Sequence, residues 1–78
     1  MKKGDYYTIK YKLFGQPYPQ VVAGAFQFEE NAMSRVKEII QDQSVSEVIV
    51  RKRRGCRSII VYTWSNGFEC VYLNRQFS

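Results

Sequence analysis

Hydrophobic and polar residues alternate from Tyr6 to Phe14. Tyr7, Ile9, Tyr11 and Leu13 take one side, and Thr8, Lys10 and Lys12 take the other. A period of two with aromatic enrichment predicts a strand. Gly15-Gln16-Pro17-Tyr18-Pro19 predicts a turn, because proline cannot donate to a sheet ladder. Gln20 to Phe28 predicts a second strand, hairpin-paired to the first, with Val22, Gly24, Phe26 and Phe28 on one side.

The period changes at Glu29. Met33, Val36, Ile39 and Ile40 recur at helical spacing, and Glu29 and Glu30 suit the positive end of a helix dipole. A helix over residues 29–43 follows, with one apolar stripe and so one docking face. Period two returns at Ser46–Lys52, then at Cys56–Trp64, then at Phe68–Asn74. Arg53-Arg54-Gly55 fits a three-residue hairpin loop with glycine in the left-handed position, and Asn66-Gly67 is a strong two-residue hairpin signal. The predicted fold is α+β: a single five-stranded antiparallel sheet in the chain order strand-strand-helix-strand-strand-strand. One helix packs on one face, and residues 1–78 form a single domain.

These loops set an expected register. Lys52 pairs with Cys56, Val50 with Ser58 and Val48 with Ile60; across the last turn Trp64 pairs with Glu69 and Tyr62 with Val71. The helix side then holds Val48, Val50, Ile60, Tyr62, Trp64, Val71 and Leu73, with Tyr7, Ile9, Tyr11, Leu13, Phe26 and Phe28. The opposite side holds Thr8, Lys10, Lys12, Glu47, Ile49, Arg51, Arg57, Ile59, Val61, Thr63, Cys70 and Tyr72. One helix cannot cover both faces, so the second is wet or covered by another molecule.

Charge gives this second face its character. The chain carries a net charge of +5. Residues 1–28 hold four lysines against Asp5, and residues 44–78 hold Lys52 and five arginines against Glu47 and Glu69. Residues 29–43 between them are net acidic. Such a polarised distribution favours oriented association with an anion. The densest cationic feature is Arg51-Lys52-Arg53-Arg54-Gly55, with Arg57 just beyond. Four arginines to one lysine suit bidentate contacts with phosphate or carboxylate. The expected division puts Arg53 and Arg54 on the loop, Arg51 and Arg57 facing each other on the open side, and Lys52 towards the helix. Lys10, Lys12 and Tyr72 join the open-side cations, and Tyr72 could stack on a base or anchor an interface. A run of like charges also serves as a solvated edge that resists aggregation.

The missing residue types narrow the chemistry. Without histidine the chain lacks the commonest general acid-base group and metal ligand. Two cysteines do not complete a zinc site, and the glycines never reach a phosphate-loop spacing. In the expected register Cys56 and Cys70 lie seven rungs, ~23 Å, apart, beyond the ~4.4–6.8 Å Cα separation of a disulfide. Cys70 is expected to be small and partly buried. A non-enzymatic protein with no cofactor or metal follows. The start of the chain shows no secretory signal, and no apolar run reaches membrane length. A reduced, cytoplasmic protein with no membrane association is therefore expected. At this size only roughly 60% of the unfolded surface is buried on folding, so a partner or a second copy would add to a small stability margin.

The layout resembles the small phage-encoded inhibitors of bacterial defence known as anti-CRISPR and host-takeover proteins. Several of these are chains of this length with one helix against an antiparallel sheet. The likeness covers nearly the whole chain as layout alone, without a shared motif. It implies a non-enzymatic binder that blocks a host nucleoprotein machine. The expected partner is thus a host protein or nucleoprotein complex, occluded through Arg51, Arg53, Arg54 and Arg57. The alternatives are direct binding to a DNA or RNA backbone by the same cations, and a structural homodimer in place of a monomer.

Overall fold

The computed structural model describes residues 4–73 and Phe77. Its elements are β1 (Tyr6–Leu13), β2 (Gln20–Val21), α1 (Glu29–Ile40), β3 (Val45–Arg54), β4 (Arg57–Ser65) and β5 (Phe68–Val71). The strands form one antiparallel sheet in the order β2-β1-β3-β4-β5, and α1 packs on one face against β1 and β3. The α+β architecture matches the sequence expectation.

Ile9, Val50 and Tyr62 form one rung across β1, β3 and β4, and Tyr11, Val48 and Trp64 form the next. Directly opposed residues share a face, so both rungs look towards α1. From the helix, Ala32 and Val36 are buried against them, with Met33, Ile39 and Ile40 at the margins. Val36, Val48, Val50 and Val61 are completely buried, each worth about 1.5–3 kcal/mol relative to exposure. The helix begins on the Phe28 carbonyl, which accepts from Asn31 N and Ala32 N. Phe28 itself is 59% exposed, not part of the helix-side core as its spacing predicts, because its backbone serves as the N-cap. At the other end the helix stops at Ile40, three residues before the expected end at 43, and the Asp42 carboxylate accepts from Ser44 N at 2.9 Å in the turn to β3.

Two bulges shape the sheet. Between β3 and β4 the pairing steps from Val50↔Tyr62 to Arg51↔Ile60, which leaves Val61 as an extra residue. Val61 and Tyr62 are both buried, as a bulge that turns two successive side chains inward requires. Between β1 and β3, Ser46 is the extra residue at the Lys12/Leu13 step. Its hydroxyl donates to the Lys12 carbonyl at 3.3 Å, and its own carbonyl accepts from Asn66 N at 3.2 Å.

The second strand is shorter than its alternation predicts. Only Gln20–Val21 pair regularly with β1, followed by a Val22 N to Ile9 O bond and an isolated Tyr7↔Phe26 bridge. Gly24 interrupts the run with φ +84°, and nothing lies within 4 Å of where its Cβ would be, so backbone conformation and not helix approach places glycine there. The last strand ends at Val71, short of the expected Asn74, which lies outside the described residues.

Candidate functional site

The β3–β4 tip is a two-residue turn, Gly55-Cys56, closed by the pair Arg54↔Arg57. Gly55 has φ +60° and Cys56 does not share the positive sign. Glycine at the first central position is the signature of the type II′ hairpin turn, whose twist matches the flanking strands. The expected three-residue loop and its pairs Lys52–Cys56, Val50–Ser58 and Val48–Ile60 are therefore corrected. Lys52 faces Ile59, Val50 faces Tyr62 and Val48 faces Trp64.

This register, with the Val61 bulge, redistributes the cations. Arg57 and Ile59 lie on the helix side, not the open side, while Ile60 lies on the open side and Val61 enters the core. Arg51 and Arg57 do not face each other: Arg51 is opposite Ile60. On the helix side Lys52, Arg54 and Arg57 surround the ring of Phe77, at 6.0, 4.9 and 5.4 Å from its centroid. Asp5 accepts from Arg54 Nε at 2.6 Å and Nη2 at 3.0 Å, with Lys52 Nζ 3.5 Å away. The Arg54 hydrogen bond holds the Asp5 carboxyl below the usual carboxylate range, and the same bond raises Arg54. Arg54 thus belongs to an internal cluster instead of projecting from a loop.

The open face carries a second group. In successive rungs, Tyr6 faces Arg53, Thr8 faces Arg51, Lys10 faces Ile49 and Lys12 faces Glu47. Arg53 donates from Nε to Thr8 Oγ1 at 3.1 Å, which fixes its guanidinium over β1. Val21, opposite Lys10 on β2, extends the face with an exposed apolar side chain. Two hollows open here. One of about 310 Å³ is lined by Tyr6, Thr8, Lys10, Val21, Arg51 and Arg53. The other, of about 230 Å³, is lined by Lys10, Lys12, Pro17, Pro19, Glu47 and Ile49. Lys10 lines both, so they form one groove along β1 with four cations and one carboxylate. Among the described residues, no acidic side chain lies within ion-pair distance of Lys10, Lys12, Arg51 or Arg53.

The structure therefore brings together Lys10, Lys12, Arg51 and Arg53 of the sequence candidates, and assigns Arg54 and Arg57 to the opposite side of the sheet. Tyr72 does not join the cations: its N–H bonds Val61 O at 2.7 Å beyond the end of β5, two strands from Arg51. Cys70, expected to be partly buried, is exposed because β5 is an edge strand, and both cysteines are free thiols. Sequence reasoning put Thr8 on the open face and Tyr6 among the surface aromatics able to anchor an interface, but missed Val21 as a groove residue and Asp5 and Phe77 as partners of the tip. The alternation of β1 does place Thr8 beside Lys10, but no local signal joins Asp5 to Arg54, 49 positions away.

Among the described residues no group of three or more His, Cys, Asp and Glu could hold a metal ion, and no helix is long and apolar enough to cross a membrane. Compared with protein-family models, curated proteins and solved structures, the chain matches none.

Proposed function

We propose that this protein is a non-enzymatic interaction module that lays its open sheet face on an anionic macromolecular surface and occludes it. The observation that carries the reading is the groove along β1, where Lys10, Lys12, Arg51 and Arg53 converge without a carboxylate to neutralise them except Glu47 at one end. Cations held on strands are positioned at low entropic cost, and the Arg53–Thr8 bond adds to this order. Val21, Ile49 and Ile60 lie among the charges. Apolar side chains interleaved with the charges favour a protein-containing partner, such as a host protein or nucleoprotein complex, over naked nucleic acid. The resemblance of the layout to that of anti-CRISPR proteins supports the same class of partner, a nucleic-acid-handling machine of a phage host. Localisation in the host cytoplasm goes with this reading.

A second reading, direct binding to a nucleic-acid backbone, draws on the same four cations. Recovery of partners from host lysate, with and without nuclease, compares the two. Retention of a protein partner after nuclease, lost in a Lys10→Glu/Arg51→Glu variant, supports the first. Nuclease-sensitive recovery, together with duplex binding by the purified protein whose log affinity falls with log salt by ~0.9 per phosphate neutralised, supports the second. Recovery unchanged by the charge reversal overturns both.

A further inference from the structure

The two edges of the sheet differ. On one side the segment from Gln20 to Phe26 runs beside β1, preceded by Pro19 and interrupted at Gly24. On the other side, all four residues of β5 are exposed, and Phe68 and Val71 are 80% and 53% accessible. Natural edges are usually guarded by lysine, proline or a bulge. The segment Phe68-Glu69-Cys70-Val71-Tyr72 has no lysine, arginine or proline, and the β4–β5 pairing steps without a shift.

The Asn66-Gly67 turn fixes which backbone groups look outward. In a two-residue hairpin the closing pair, Ser65↔Phe68, is hydrogen-bonded, and bonded pairs then alternate. Thr63↔Cys70 is the next bonded pair, and the Tyr72 N to Val61 O bond continues the series. The N–H and C=O groups of Glu69 and Val71 therefore point away from β4, towards an edge that no strand covers among the described residues.

We infer that β5 is a self-association edge, at which a second copy of this chain pairs antiparallel about a two-fold axis at Cys70. In that register Glu69 of each copy exchanges ladder hydrogen bonds with Val71 of the other. Cys70 meets Cys70, and Phe68 meets Tyr72 twice. The five residues are self-complementary about their centre: aromatic, outward-bonding residue, cysteine, outward-bonding residue, aromatic. A slip that centres the axis on Glu69 would oppose two like charges, which is unfavourable. The product is a continuous ten-stranded sheet with both open faces on the same side. The two β3 strands lie five strand spacings, ~24 Å, apart. The pairing uses none of the groove cations and does not rest on the proposed function.

The register makes a covalent readout available. Cys70 and its copy form a non-hydrogen-bonded pair with Cα atoms ~4.5 Å apart, within the ~4.4–6.8 Å range of disulfides. The test is sedimentation equilibrium under reducing conditions, together with oxidation of Cys56→Ser and Cys70→Ser variants by oxidised glutathione. Two Cys70 thiols would give up two electrons and two protons, and glutathione would leave as two reduced molecules. The expected result is a concentration-dependent dimer that the Cys56→Ser variant locks as a disulfide and the Cys70→Ser variant does not. Val71→Pro removes an outward N–H without touching the β4 ladder and is expected to give a folded monomer. Val71→Lys places a charge on the same edge, and answers if the proline variant fails to fold. A wild-type protein that remains monomeric to millimolar concentration overturns the inference. So does a dimer whose association is unchanged in the folded Val71 variants, or a Cys70→Ser chain that cross-links as well as Cys56→Ser.

Discussion

Arg54 grips Asp5 through two hydrogen bonds, Nε to Oδ1 at 2.6 Å and Nη2 to Oδ2 at 3.0 Å. The pair ties the residue just before β1 to the last residue of β3. With Lys52 3.5 Å from the same carboxylate and Phe77 among the three helix-side cations, it gives the tip a fixed internal role. Charge density along the sequence is thus a poor guide to which cations share a face of the sheet. The most cationic stretch divides between a structural cluster and a groove, according to which face of the sheet each residue meets.

Asp5 makes the structural half testable by pH. Its carboxyl is held below the ordinary range, first by the Arg54 hydrogen bond and then by the charges of Arg54 and Lys52. A carboxyl whose folded pKa is depressed stabilises the fold fully above its unfolded pKa, ~3.9, and loses that contribution as pH falls through the folded value. Wild type is therefore expected to resist urea better than Asp5→Asn at pH 7 and pH 5, and the two should converge towards pH 3. A gap of constant size across this range would show that ionisation of Asp5 contributes nothing.

The turn at Gly55 predicts a handed effect. With φ +60°, an L-residue there carries a left-handed penalty of about 1–2 kcal/mol. No atom lies within 4 Å of the missing Cβ, so the cost of Gly55→Ala is conformational and not steric crowding. Chemical denaturation of the alanine variant should show that loss. A synthetic chain with D-alanine at the same position should keep or exceed wild-type stability, since the mirror-image residue favours this backbone. Equal losses from both enantiomers would contradict the type II′ assignment.

Core packing gives a further measure. Val50 is completely buried at the centre of the sheet, between Ile9 and Tyr62 and under α1. Val50→Ala is expected to cost about 2 kcal/mol, read from urea midpoints at constant slope. Ile49→Ala, one residue along on the open face and only half-buried, should cost clearly less. A reversed order would put the core on the wrong side of β3.

The parts of this fold that the sequence discloses are those where local chemistry marks a single answer. Asn66-Gly67 adopts positive φ at both residues, and the β4–β5 register follows as expected. The helix stripe places Val36 in the core as its spacing predicts. The β3–β4 register was illegible for a definite reason. Ile59-Ile60-Val61-Tyr62 is apolar throughout, so no position marks a face, and a bulge at Val61 can reverse the strand's parity without disturbing the pattern. Four adjacent cations at the other side of the hairpin are equally uniform. The opposite sides of Arg51 and Lys52 were legible, but Arg53 and Arg54, expected together on the loop, separate onto the two faces of β3, and Arg57 joins Lys52 and Arg54 and not Arg51.

That division yields the sharpest prediction about function. If the β1 groove is the contact surface, Lys10→Glu and Arg51→Glu should each weaken partner binding by more than tenfold, ~1.4 kcal/mol. Arg57→Gln, on the helix side, should leave it nearly unchanged. Isothermal titration against the partner recovered from lysate would read both, with circular dichroism confirming that each variant folds. Neither groove substitution removes an ion pair found among the described residues, so lost binding would not be a by-product of lost stability. If Arg57→Gln were as damaging as Arg51→Glu, the contact would wrap around the tip, and the groove could not be the recognition surface by itself.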